Sequence, residues 1–174
     1  MKRHLILMAS LMLAGMTAGV TAKAAGPKSE TMSAAEAFSR LKTLAGDWEA
    51  NTQMGHAHLN IQLIAGGTSI VERETGEKMP EMMTVYYVDG DRLLLTHYCM
   101  AGNQPRMQAR SFNPGTGELE FQFLDATNLA TPEAGHMHNA KFRIADRDHL
   151  VTEWEFYENG QKKMSESAQY TRVR

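Results

Sequence analysis

The sequence predicts an all-β protein: an up-and-down antiparallel β-barrel of about ten strands, with one short N-terminal helix closing one end. Three observations carry this. From Asp47 onward, apolar residues recur at every second position, the period of a strand with one buried face. Turn-forming clusters cut that stretch at short intervals, with no room for the crossover helices that parallel strands need. Helix-start signals stand out only once, at Ser33. A train of hairpins keeps bare edges unless it closes on itself, which favours a barrel over the competing sandwich.

The 174 residues divide into a leader, a polar spacer and one domain. Residues 1–24 read as a secretory signal peptide. Lys2, Arg3 and His4 are its basic start, Leu5 to Leu13 its apolar run, and Ala22-Lys23-Ala24 its small-x-small cleavage site. The apolar run is about half of the ~20 residues that a membrane span requires. Cleavage would leave 150 residues with nine methionines, six histidines and a net charge of −5, against −2 for the whole chain. Such a balance argues against a nucleic-acid binder, which shows a basic face. A single cysteine excludes an internal disulfide framework. The expectation is an exported protein, periplasmic or secreted, with no membrane span after cleavage.

Residues 25–32 are polar and expected to be flexible, and the domain occupies residues 33–174. Ser33-Ala34-Ala35-Glu36 is a capping box; Phe38, Leu41, Leu44 and Ala45 follow at helical spacing, and Gly46 is expected to end the helix. Leu59, Ile61 and Leu63 then alternate with polar residues, as do Leu119, Phe121 and Phe123, then Ala140, Phe142 and Ile144, then Leu150, Thr152, Trp154 and Phe156. The expected turns include Ala65-Gly66-Gly67, Asp89-Gly90-Asp91, Asn113 to Gly117, Asp146-Arg147-Asp148 and Asn159-Gly160.

A short helix running into Gly46-Asp47-Trp48, followed by about ten meandering strands, resembles the calycin superfamily of lipocalins, fatty-acid-binding proteins and nitrobindins. Thr96-His97-Tyr98-Cys99, Asn103 to Met107, Asp125 to Asn128 and Gly135 to His138 resemble an uncharacterised group of secreted bacterial proteins with that fold. The resemblance implies a barrel and export. It does not favour haem. The glycine-rich start of the haem-carrying nitrobindins is missing after Trp48, and residues 150–174 hold no histidine where that family's haem ligand lies.

In a meander, alternate connections fall at opposite ends. The turns at 65–67, 89–91, 113–117 and 146–148 and the helix go to one end; the connections near 75–81, 100–104 and 126–135, with the tight Asn159-Gly160, go to the other, which is the expected ligand mouth. Five of the six histidines after the leader lie at that mouth, only His149 being opposite. Parity turns His97, Cys99, Asp125, His136 and His138 inward and His56 and His58 outward. Arg106 lies opposite the apolar face and reaches the mouth over the rim. His97, Cys99, Asn103, Arg106, Asp125, Asn128, His136 and His138 are therefore the candidate ligand-binding residues. His97, Cys99, His136 and His138 could bind zinc or copper, since imidazole and thiolate suit both and the nine methionines favour copper. Arg106 could fork onto a carboxylate or phosphate. Glu72 and Glu74 read as rim acids, and Met82, Met83 and Met107 as core filler. The function expected is binding of a small ligand or transition metal. The alternatives are an enzyme, metal-assisted or using a histidine base, built from the same residues, and a barrel acting through protein contacts alone.

Overall fold

A computed structural model describes residues 33–174; the leader and spacer expected before Ser33 lie outside the described residues. One helix, α1 (Ala34–Lys42), precedes ten strands: β1 (Gly46–Thr52), β2 (Gly55–Ile64), β3 (Ser69–Gly76), β4 (Met79–Asp89), β5 (Arg92–Tyr98), β6 (Gln104–Asn113), β7 (Glu118–Thr127), β8 (His136–Ile144), β9 (His149–Glu158) and β10 (Gln161–Arg172). Each strand pairs antiparallel with its sequence neighbours, and β1 closes the barrel on β10. The expected architecture is the one found. Among the described residues no helix is long and apolar enough to cross a membrane.

The capping box of α1 forms as expected: the Glu36 amide donates to the Ser33 hydroxyl, and the Ser33 amide donates to the Glu36 carboxylate. The helix ends earlier than expected, at Thr43, whose hydroxyl donates to the Arg40 carbonyl. Gly46 is instead the first residue of β1. Its φ of +130° suits glycine, and a Cβ there would stand 2.7 Å from an Arg172 guanidinium nitrogen. Ala37, Phe38 and Leu41 are buried against the barrel end that holds the tight turns. Burying Phe38 and Leu41 contributes about 1.5–3 kcal/mol each.

Alternation puts Leu59, Ile61, Ile70, Leu95, Met107, Leu119, Phe121, Phe142 and Leu150 inside. The helix-side half of the barrel is a packed core. The cavity bounded there by Leu41, Leu44, Ile61, Tyr86, Phe142 and Leu150 measures only about 10 Å³. The opposite end carries the β5–β6 and β7–β8 loops and the tight β1–β2, β3–β4 and β9–β10 turns. The connection expected as a loop near 75–81 is a two-residue turn, Glu77-Lys78.

Of the bulges that reshape that open end, three bear on the candidate residues. Arg106 pairs with Asp125 but Met107 pairs with Phe123, so Leu124 is extra in β7. Met137 pairs with Phe156 but Asn139 pairs with Glu155, so His138 is extra in β8. Lys162 pairs with Tyr157 but Met164 with Phe156, so Lys163 is extra in β10. Each bulge reverses which side chains face inward beyond it.

Candidate functional site

The open end leads into a cavity of about 320 Å³ lined by six methionines. Met54 comes from the β1–β2 turn, Met79 and Met82 from β4, Met100 from the β5–β6 loop, Met137 from β8 and Met164 from β10. They are six of the eight methionines among the described residues. The topology explains the convergence. The β1–β10 ladder pairs only Trp48 with Arg172 and Glu49 with Thr171, so the two strands are unpaired toward the mouth. The bulges at His138 and Lys163 bring Met137 and Met164 opposite Phe156 from either side of β9.

Beneath this cavity lies a pit of about 20 Å³, bounded by Met82, Met137, His97, Trp154, Thr152, Ala168, Glu74 and Glu166. Met82, Met137 and Glu166 line both spaces. The pit admits one water-sized occupant.

His97 is 3% exposed and its ring lies 4.8 Å from that of Trp154. Burial holds its pKa down at about 4, so it is neutral near pH 7. Its Nδ1 lies 3.0 Å from the Thr84 hydroxyl, while its Nε2 is buried with no hydrogen-bond partner. On the same strand the Tyr86 hydroxyl donates to Glu72 at 3.0 Å. In the tautomer whose Nδ1–H donates to the Thr84 hydroxyl, Nε2 carries a lone pair.

Burial shifts two carboxyl groups in this part of the interior. Burial, aided by repulsion from Glu74, pushes Glu72 up to about 8 against the Tyr86 hydrogen bond. Glu74 is also raised, by burial first, with the Tyr170 hydroxyl donating to it at 2.7 Å and Glu166 adding repulsion. Glu72 and Glu74, expected at the rim, therefore belong to the interior.

The other candidate residues go elsewhere. His136 and His138 were expected to face inward beside Phe142 and Ile144, but the bulge gives the inward place to Met137. The β7–β8 ladder stops at Gln122 and Asn139. Beyond it a stack of rings fills the gap: Phe123, His138 and Tyr157, at 4.9 and 4.4 Å, with His136 4.4 Å from Phe123. His136 Nδ1–H donates to the Ala134 carbonyl at 2.7 Å, and its Nε2 lies 3.0 Å from His138 Nδ1. Burial and the His136 neighbour lower the pKa of His138.

Asp125, also expected inward, is turned outward by the Leu124 bulge and accepts both arms of the Arg106 guanidinium, the Nε–Oδ1 bond being 2.6 Å. Both side chains are nearly half exposed, and the fork expected for an anionic ligand is already filled. Asn103 is buried, its amide donating to the Gly135 carbonyl at 2.8 Å, and Asn128 donates to the Gly102 carbonyl at 2.5 Å. Together they tie the β5–β6 loop to the β7–β8 loop. Cys99 packs in the core, and burial raises its thiol pKa, which disfavours the nucleophilic thiolate. His56 and His58 alternate with buried Ala57 and Leu59, on the outer face as expected. Among the described residues no three of His, Cys, Asp and Glu are grouped to hold a metal ion. The zinc-type set of His97, Cys99, His136 and His138 is thus not assembled.

The chain matches no protein-family model and no curated protein. Its fold is similar to a solved structure from Nostoc punctiforme, a protein with unknown function from the DUF3598 family. The two share 14% identity at a TM-score of 0.52, over 76% of this chain and 49% of that one. The likeness is one of fold. This chain spans about half the length of that protein, and the ten-stranded closed barrel is consistent with a calycin-like architecture.

A second space, about 380 Å³, runs along the outer face of β7, β8 and β9. Many of its charged walls already pair with one another: Lys141 with Glu118 and Glu120, and Glu155 with Asn139 and Lys162. The methionine mouth is different, because the pit beside it is bounded by His97, whose Nε2 has no hydrogen-bond partner.

Proposed function

We propose that this protein is an exported, calycin-like binding barrel that admits a small ligand through the methionine-lined mouth. One observation carries the reading: an apolar cavity shares walls with a pit bounded by His97, Glu74 and Glu166. Ligand sites are characteristically apolar concavities with a few convergent polar groups. Methionine suits such walls because its unbranched chain and polarisable sulfur adapt to irregular shapes. The packed lower core confines the ligand to the mouth.

The test is titration of the purified protein with a neutral apolar fluorescent dye. Saturable binding at one site is expected. Met54→Glu and Met164→Glu place charge on the walls at exposed positions, where folding tolerates it, and should weaken dye binding, since an apolar ligand seated there must strip water from the new carboxylate. Absence of saturable binding in the parent protein overturns the reading.

A further inference from the structure

We propose that the pit beneath the mouth is a binding site for a soft monovalent cation of the copper(I) class, with His97 Nε2 and the thioether sulfurs of Met82 and Met137 as its ligands. The proposal deepens the reading of the mouth as a ligand entrance and rests on it.

The donor set decides the class of ion. Thioether sulfur is neutral and polarisable; it is a poor partner for calcium or magnesium and selects copper(I). Met82 and Met137 are the two methionines that line both the mouth and the pit. His97 supplies the third donor from the same walls. Its Nδ1 is taken by Thr84, so Nε2 is the remaining polar atom of the ring and has no partner. Metal-ligating histidines characteristically have the far nitrogen fixed in this way, which sets both tautomer and ring angle. Here the Thr84 hydroxyl is that support.

Size and charge agree with this. About 20 Å³ accepts an atom-sized guest and excludes an organic one. Burying a lone positive charge is costly unless it is compensated. Glu74 and Glu166 border the pit, and Trp154 presents its ring beside His97, where a cation gains from the aromatic face.

The bland account of these methionines is gap-filling in the core. Met107, fully buried, fits it. Met54, Met100 and Met164 do not: they are 38%, 59% and 47% exposed and still point to one cavity. A row of soft donors from rim to pit gives the ion a path of exchangeable partners to the imidazole.

The purified protein is titrated with copper(I) under anaerobic conditions against a chromophoric copper(I) chelator. The apolar-dye titration runs in parallel. One equivalent of copper(I) is expected to bind. M82L/M137L preserves volume and removes both sulfurs. It should lose at least about tenfold in copper(I) affinity, as disturbed metal sites do. Silver(I), a redox-inert probe, should shift the methyl resonances of Met82 and Met137 in methyl-labelled protein and leave Met107 unmoved. Thr84→Val, which frees the His97 ring, should weaken copper(I) binding without loss of fold. Failure of the parent protein to compete for copper(I) overturns the proposal, as does a double variant that binds as tightly as the parent. Dye binding without copper(I) binding leaves the entrance reading standing; loss of both removes the two together.

Discussion

Arg172 lays its guanidinium carbon 4.1 Å from the Trp48 ring centre, so the last strand grips the first across the closing seam. The same guanidinium donates to the carbonyls of Thr43, Ala45 and Arg147. Trp48, fully buried, donates its indole N–H to Leu44. Helix, first strand, last strand and the β8–β9 turn meet on this one pair. Lysine has no planar fork to serve three carbonyls. Arg172→Lys is expected to cost roughly 2–3 kcal/mol in urea unfolding. A loss within about 0.5 kcal/mol, the range of an ordinary surface substitution, would show the clamp to be incidental.

Glu72 gives stability a definite slope with pH. Its carboxyl keeps a proton in the fold up to about 8, whereas the unfolded chain releases it near 4.5. The folded state binds more protons in between, so this contribution is complete below pH 4.5 and lost as pH rises through 8. The slope is at most about 1.4 kcal/mol per pH unit. Glu72→Gln should flatten it and be the more stable protein at pH 8. Parallel urea curves for the two proteins at pH 5, 6.5 and 8 would contradict a protonated Glu72.

His97 acts with the opposite sign. Its pKa falls to about 4 from 6.5, so the unfolded chain takes up the proton first, and stability is lost as pH drops from 6.5 toward 4. Nitrogen NMR of the imidazole should show a neutral ring, protonated at Nδ1, with no titration above pH 5. A protonated Nε2 at neutral pH would make the Thr84 hydroxyl the donor to Nδ1 and leave no lone pair for a metal ion.

The Arg106–Asp125 fork should matter little. Both side chains are nearly half exposed, and such pairs contribute about 0–1 kcal/mol. Arg106→Ala and Asp125→Ala are expected to leave dye and copper(I) titrations unchanged. A tenfold change in either titration would put the fork back into the site.

Much of the fold was legible because strand period and turn residues are local signals. Leu59–Leu63 or Leu119–Phe123 announce their faces without knowledge of their partners, and Asn159-Gly160 announces a turn. The site was less legible for a specific reason. Parity counting assumes an unbroken pleat, and Leu124, His138 and Lys163 each add one residue to it. Bulges are decided by the partner strand, so nothing in the local pattern marks them. Asp125, His136 and His138 were therefore assigned to the wrong side, while His97, on an unbulged strand, was placed correctly inside. The methionine mouth was hidden differently. A methionine in a strand reads as core, and only the assembled barrel shows six of them around one opening. Their excess in the composition was the available signal.

The short seam between β1 and β10 bears on how the chain is made. Strands β2 to β9 find both partners among their sequence neighbours, but β1 must wait for β10. During synthesis, until Tyr170 and Arg172 have emerged, the best the chain can form is an open sheet with β1 and β9 as bare edges. Such edges pair readily with other chains. Nascent molecules are thus exposed to aggregation until β10 has emerged, and the two register pairs at Trp48 and Glu49 end that exposure.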